Sequence, residues 1–596
     1  MTSFDVLRQF ETRLQELEKS IGTARSRQIL AATVLGIATA LWAYFCVRVI
    51  QQEIPRAWLL VPVPFGIAGA YLAGQHRRTG YRLWRLTRFY ERAVQRLKGD
   101  WAGSGVSGDD FLRPEHVYAR DLNVLGEGSL FELLCIAKTS IGQQGLANYL
   151  LDTPSPQETI LRQEAVRELK DQVELREKVA TLGELEFAES SLGTFEAWLE
   201  SSAFKFARPL PVLFGATSAL LAALILGFLL APSSFFQVWP WIIPLVALHA
   251  LAGLAFRKRV NRMHALLRPV SVETHAVRGG LRILEAQQFQ SAKLRQLVGQ
   301  VQHSSTSIRE LDRLLYALND RENQFYLGIP LLLLAGTQLC MAIEKWRIRH
   351  GESLREWLAA WSEFEALNAL ASYAYENPEN TFPEFSGTQA FFEAQELGHP
   401  LLRHVACVPN NIELNQQSQF YVLSGSNMSG KSTLLRTIGL NAVLALSGAP
   451  VPARVLRMPP GLSVFASIAV VDSLLDGKSK FQLEVDRLRL TIAAALDGQP
   501  TLFLVDEIFS GTNSRDRRIA AEAVVRTLVA RGAIGVLSTH DLALTEIASA
   551  DGLCGLNLHM GSRDGSDPMD FDYLVKPGVT QESNALAIAR MSGVPV

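Results

Sequence analysis

Hydrophobic residues in this chain gather first into long uncharged runs and later into short ones. Ile29–Val47 and Ala57–Gly74 form one pair of long runs, and Leu210–Ala231 with Val238–Phe256 forms a second. About 20 apolar residues, each rising about 1.5 Å, cross the hydrocarbon core of a bilayer. Each run therefore predicts a membrane helix, and the short links predict two hairpins. A buried core helix is the weaker reading, because soluble helices rarely stay uncharged for so long. No polar or charged group is expected to line these spans.

Ahead of the first run, Leu7, Leu14 and Ile21 recur one heptad apart, with Phe10 and Leu17 between them. This is either a short coiled-coil seam or a solvated amphipathic helix leading to the membrane. Glu11, Glu16 and Glu18 precede the apolar run, so it does not read as a cleaved signal. After the second run, residues 75–98 hold eight Lys/Arg against one acid, Glu91, interleaved with Tyr81, Trp84, Phe89 and Tyr90. Beside a membrane span, this pattern favours an anionic lipid surface over nucleic acid.

Charge asymmetry orients the hairpins. The link Pro232–Gln237 carries no Lys or Arg, whereas Arg257, Lys258, Arg259 and Arg262 follow the fourth run. Excess positive charge stays cytoplasmic, which places the N-terminus and both long following segments there. A fifth apolar run, Phe325–Ile343, contains Gly328, Pro330 and Gln338. Crossing the membrane there would carry everything after it outside, so it reads as a buried or membrane-grazing helix.

Residues 111–208 and 257–395 show helical periodicity with few turn signals. From about 396 the pattern changes to short β-like runs between helices, such as Phe420–Leu423, Thr501–Val505 and Ala533–Ser538. Strands alternating with helices predict a parallel sheet. The expected organisation is an amphipathic helix over 1–28, membrane hairpins over 29–74 and 209–256, and a basic juxtamembrane segment over 75–110. Helical core segments occupy 111–208 and 257–395, and a nucleotide-binding domain occupies 396–596.

Composition adds limits. The chain has 596 residues, is 48% hydrophobic and carries a formal net charge of −1, so no global basic field points to nucleic acid. Its five cysteines are scattered without metal or disulfide spacing, which suits a reducing compartment.

The chemistry is concentrated near the end. Gly425-Ser426-Asn427-Met428-Ser429-Gly430-Lys431-Ser432, followed by Thr433, fits G-x-x-x-x-G-K-[ST] between an apolar run and a helical one. Such a loop turns backbone N–H groups towards phosphate oxygens at a helix N-terminus. Lys431 is expected at the β/γ-phosphates of a nucleoside triphosphate, and the Ser432 hydroxyl at Mg²⁺. A second strand, Thr501–Val505, ends in Asp506 and Glu507. Asp506 would hold Mg²⁺ through water, and Glu507 would polarise the attacking water. A third strand ends in His540, a candidate γ-phosphate sensor. Ser479, before the long helix Gln482–Ala495, is either a helix cap or a serine facing the γ-phosphate of a partner subunit.

These segments together resemble the ATPase domain of the MutS DNA mismatch-repair family. The phosphate loop is similar to that family's G-P-N-M-G-G-K-S-T, and Asp506-Glu-Ile-Phe-Ser-Gly-Thr-Asn513 to its D-E-I-G-R-G-T-S. Ser538-Thr-His540, Asp472–Phe481 and Leu574-Val-Lys-Pro-Gly578 with Ala589–Pro595 resemble further family segments. More faintly, Gly128–Pro154, Ala374–Pro378 and Gly398-His-Pro400 resemble the helical core and its return into the ATPase. The family's mismatch-reading G-x-F-[YF]-E segment has no counterpart, and no separate clamp domain is evident. Cys407, in Cys407-Val-Pro-Asn-Asn411, stands where relatives carry an aromatic for the adenine ring.

The apolar runs and the resemblance together imply a multidomain fold, with α-helical membrane hairpins from the runs, and a helical MutS-like core and a C-terminal α/β P-loop ATPase domain of the ABC type from the resemblance. The resemblance implies ATP and Mg²⁺ as cofactors and a homodimer through the ATPase domain, with Ser479 acting in trans. The expected function is a membrane-anchored ATPase with a DNA-binding, mismatch-repair-like role, multi-pass in the cytoplasmic membrane with its ATPase domain inside. Membrane lipid and DNA are the expected contacts. The alternative is a membrane-remodelling or transport-linked ATPase that does not act on DNA.

Overall fold

The computed structural model describes residues 2–113, 115–182, 194–201, 209–230, 235–320, 334–403, 406–426, 428–468, 480–510, 513–561 and 570–580. Asn427, Ser479 and the rest of 469–479, Gly511, Thr512, 321–333 and 581–596 lie outside them. The chain divides into two compact units. One comprises Met1–Ile136, Leu146–Thr181 and Ala366–Val596; the other comprises Ala137–Gly145 and Leu182–Glu365.

In the first unit, the N-terminal amphipathic segment and the first apolar run form one helix, Ser3–Ile50. Its start is a capping box: Thr2 Oγ1 accepts from Asp5 N, and the Asp5 carboxylate accepts from Thr2 N. No proline interrupts Ser3–Ile50, so the helix passes from the polar stretch into the apolar one without a break. The second run and the basic stretch likewise form one helix, Val63–Lys98, which ends at Gly99 in the left-handed region, φ 76°.

These two helices pack along most of their length. Phe10, Leu17, Ala24, Ala31 and Ala38 are buried at seven-residue intervals, so the heptad seam continues well past the polar N-terminal stretch. At the base, Val6, Phe10 and Leu17 pack with Leu86, Phe89, Tyr90 and Ala93. Farther out the residues are small, and Gly69 lies against the Leu35 backbone. The outward faces, including Ile29, Ile37, Trp42, Phe65 and Tyr71, are exposed.

The same unit carries the α/β sheets. Strands β1 (Glu384–Phe385), β2 (Phe392–Leu397), β3 (Asn410–Leu414) and β5 (Val455–Met458) form a mixed sheet in the order β1-β5-β2-β3. The larger sheet contains β4 (Phe420–Gly425), β6 (Ser463–Ser467), β7 (Thr501–Asp506), β8 (Ile534–Thr539), β9 (Gly555–Met560) and β10 (Lys576–Pro577). Its order is β10-β9-β4-β8-β7-β6, with only β10 antiparallel to its neighbour. Strands β4 and β8 are buried along their whole length, as expected of central parallel strands covered on both faces. Their register pairs Leu423 with Ser538 and Ser424 with Thr539. That alignment brings the C-terminal ends of β4, β7 and β8 to one edge.

The second unit is helical. Leu210–Leu230 and the long Phe235–Glu285 pack together, and Ser304–Asp320 returns along Phe235–Glu285. Trp198 stacks on Trp346, and Arg347 donates to the carbonyls of Trp198, Leu199 and Ser201. In the described part of the fifth apolar run, Leu334 and Met341 bury against Phe214.

Among the described residues, four helices are long and apolar enough to cross a membrane: Ser3–Ile50, Arg56–Lys98, Leu210–Gly227 and Trp239–Ser271. They coincide with the four apolar runs. The expectation that no polar group lines them is corrected in the second pair. His249 is buried, with a ring nitrogen 2.9 Å from Thr217 Oγ1, and Gln338 Nε2 donates to Ser218 Oγ across 2.9 Å. A mean over an apolar run hides a single histidine, and these polar groups satisfy one another internally.

Candidate active site

Strand β4 delivers the glycine-rich loop to the edge of the sheet. Gly425 and Gly430 have φ of 154° and 100°, and a Cβ on Gly425 would lie 2.5 Å from the Met560 carbonyl oxygen. Both positions therefore require glycine. The helix Lys431–Leu446 starts at Gly430 without a side-chain cap, so its first N–H groups are available to an anion. Ser426 Oγ is buried and has no hydrogen-bond partner among the described residues. Lys431 is buried and folds back, its Nζ donating to the carbonyls of Gly425 and Ser426 at 2.8 Å each. Burial lowers the pKa of this ammonium, and the charges of Asp506 and Glu507 oppose the shift.

The acids expected at the end of β7 lie beside this loop. Asp506 accepts hydrogen bonds from Ser432 Oγ on one carboxylate oxygen and from Ser538 Oγ on the other. It thus joins the ends of β7 and β8 to the first turn of the loop's helix. Glu507 has φ 54°, an unusual conformation for a non-glycine residue, and its N–H donates to the Ser538 carbonyl across 3.0 Å. Its Oε1 lies 2.7 Å from His540 Nδ1. A carboxylate only accepts, so this contact places the proton on Nδ1. Lys431, Ser432, Asp506, Glu507 and His540 therefore converge at one sheet edge, while Asn427 and Ser479 lie outside the described residues.

Several supports were not anticipated from the sequence. Glu484, buried on the helix Lys480–Leu496, accepts from Phe509 N across 2.6 Å. Arg517 Nε donates to the Ile508 carbonyl at 2.7 Å. Together they hold the turn after Glu507. Buried Asp121 accepts from Ile468 N and from Arg487 Nη1, while its carbonyl accepts from Arg436 Nε. Only folding brings these groups to the site, and no local spacing signals them.

Tyr573 is a further missed residue. Its ring would lie 3.1 Å from a Cβ placed on Gly430, so an aromatic ring borders the phosphate-loop turn. Asn410 fixes this segment by donating to the Tyr573 carbonyl and accepting from Val575 N. Cys407, by contrast, accepts from His399 N at 3.1 Å. His399 itself is pushed down to about 4, by burial first and Arg436 second, and so is neutral. The adjacency of Tyr573 to the family-like Leu574-Val-Lys-Pro-Gly578 segment was the available signal.

A helical N-terminal region joined to C-terminal α/β sheets, with a glycine-rich loop and two strand-end acids, defines a multidomain protein whose chemistry sits in the α/β part. Residues 421–596 match MutS domain V. The chain is 32% identical over 289 residues to the DNA mismatch repair protein MutS of Thermus caldophilus, covering 48% of this chain and 34% of that protein. It is 33% identical over 255 residues to the DNA mismatch repair protein MutS 2 of Halobacterium salinarum, covering 42% and 29%. The chain thus spans about a third of the length of these relatives. Through this C-terminal part, the chain is similar to the MutS family.

Proposed function

We propose that this chain is a membrane-anchored ATPase that binds Mg²⁺ and ATP at Gly425–Thr433 and hydrolyses ATP with Glu507 as general base. The observation that carries this reading is Asp506, which links Ser432 to Ser538 beside the Glu507–His540 pair. Orphaned Ser426 Oγ and the uncapped helix start suit a phosphate group. Ser432 and Asp506 are the residues to hold Mg²⁺, which when bound would neutralise charge on the phosphates.

The remaining roles follow from side-chain chemistry. Lys431 exchanges its two carbonyl acceptors for phosphate oxygens. Glu507 takes a proton from the attacking water, and the Nδ1–H of His540 orients the Glu507 carboxylate. The Tyr573 ring offers a flat apolar surface to the base. Ser479 of a second copy completes the site in a homodimer, as the family resemblance implies.

The relatives named above are DNA mismatch repair proteins, so a mismatch-repair-related role on DNA is the first reading of the load. The second is a membrane-remodelling or transport-linked ATPase, favoured by the four apolar helices and the net charge of −1. Both use the same motor. Glu507→Gln tests it: ATP binding is retained while turnover falls by at least about a hundredfold. Turnover close to wild type would overturn the assignment of the base.

A further inference from the structure

Outside the sheet edge, the second unit holds a cleft of about 280 Å³ lined by Arg278, Arg282, Ser305, Arg309 and Arg313. Its walls are two antiparallel helices. Glu285 meets Ser304 and Ser305, Arg278 meets Asp312, and Ser271 meets Asn319, so the register is regular along the pair. Arg278 and Arg282 are one turn apart on one helix, as are Arg309 and Arg313 on the other. Four guanidinium groups therefore converge from two directions.

Their charge is only partly answered. Asp312 holds Arg278 and lies 3.6 Å from His275, and Glu285 caps the start of Ser304–Asp320. Among the described residues, Arg282, Arg309 and Arg313 have no ion-pair partner. Like charges at i, i+4 repel, so this arrangement costs stability unless an anion joins it. Guanidinium forks match phosphate oxygens two at a time, which makes arginine better suited than lysine to such a ligand.

We infer that this cleft is a binding site for a small multiply charged phosphate anion, of the size of a di- or triphosphate. Its volume suits such a group, and its three unpaired guanidiniums suit its charge. A lipid headgroup carries the same chemistry, but its position disfavours it. Arg278 is 22 residues beyond Phe256, about 33 Å along a helix, whereas the headgroup layer is only about 5–8 Å thick. That choice between sources rests on the reading of Val238–Phe256 as a membrane span. The cleft itself is independent of the phosphate loop.

The test is a titration of the full chain, in nanodiscs of neutral phosphatidylcholine, with inorganic tripolyphosphate. Lys431→Ala is the background that silences the phosphate loop. A saturable site is expected there, weakened at least about tenfold by Arg309→Gln with Arg313→Gln. Arg309→Lys with Arg313→Lys should fall between, because the charge remains while the fork is lost. Unchanged circular dichroism and a thermal midpoint no lower than that of the Lys431→Ala parent show that the variants are folded. No tripolyphosphate site in the Lys431→Ala background, or one untouched by the arginine variants, would overturn the inference. So would variants that lose affinity only for vesicles containing phosphatidylglycerol, or a cleft that takes an oligonucleotide but not tripolyphosphate. Failure here leaves ATP turnover intact, whereas failure of the ATPase reading leaves this cleft untouched.

Discussion

His540 points Nδ1 at Oε1 of Glu507 across 2.7 Å, joining the ends of β8 and β7. Glu507 sits in the left-handed backbone region, so its carboxylate is aimed by strain as well as by this contact. His540→Ala should lower ATP turnover by about ten- to a hundredfold while leaving ATP affinity within about threefold. Steady-state hydrolysis with a parallel binding titration reads both. An equal loss in affinity and turnover would mean that His540 serves binding instead.

The helix pair at the N-terminus makes a graded prediction. A Cβ on Gly69 would lie 3.0 Å from Leu35 N and 3.2 Å from Leu35 Cα, whereas one on Gly66 meets only Ala38 Cβ at 3.8 Å. Backbone cannot move aside as a side chain can. Gly69→Ala should therefore destabilise the hairpin by about 1–3 kcal/mol, and Gly66→Ala should be nearly neutral. Thermal unfolding of the two variants in one detergent gives the comparison. Equal midpoints would show that the helices do not approach as described.

Much of this architecture could be read from residue pattern, and the exceptions share a cause. Lys431, Ser432, Asp506, Glu507 and His540 were readable because each follows an apolar strand, where local spacing carries the chemistry. Phe10 and Leu17 marked the seam, but its continuation through Ala24, Ala31 and Ala38 was hidden because alanine carries little hydropathic contrast. Glu484, Asn410 and Asp121 act across long sequence separations. Glu273 and Glu365, which no local motif marks, are both buried.

Those two carboxylates make stability depend on pH. Glu365 accepts from Lys138 N and Thr139 Oγ1, and Glu273 accepts from Ser140 Oγ and Ile141 N, so the two acids cap the helix that begins at Ser140. Burial pushes Glu365 from the ordinary 4.5 up to about 7. Hydrogen bonds from Thr139 and Lys138 oppose this, and Glu273 adds to it. Burial also raises Glu273. A raised folded pKa means that the folded state holds the proton more tightly. The associated stability is full below 4.5, declines as pH rises towards about 7, and is level above that. The pH profile of Glu365→Gln, subtracted from wild type, should show this decline. The Glu273→Gln, Glu365→Gln double variant should remove more of it. Parallel wild-type and variant profiles would contradict the assignment.

The central claim is that Gly425–Thr433 binds ATP with Mg²⁺, and calorimetric titration of the purified chain measures it directly. A saturable site is predicted that depends on Mg²⁺ and is weakened about ten- to a hundredfold or more in Lys431→Ala, where a charged donor to phosphate is lost. Absence of saturable binding in the wild type, or equal affinity in Lys431→Ala, would contradict the account.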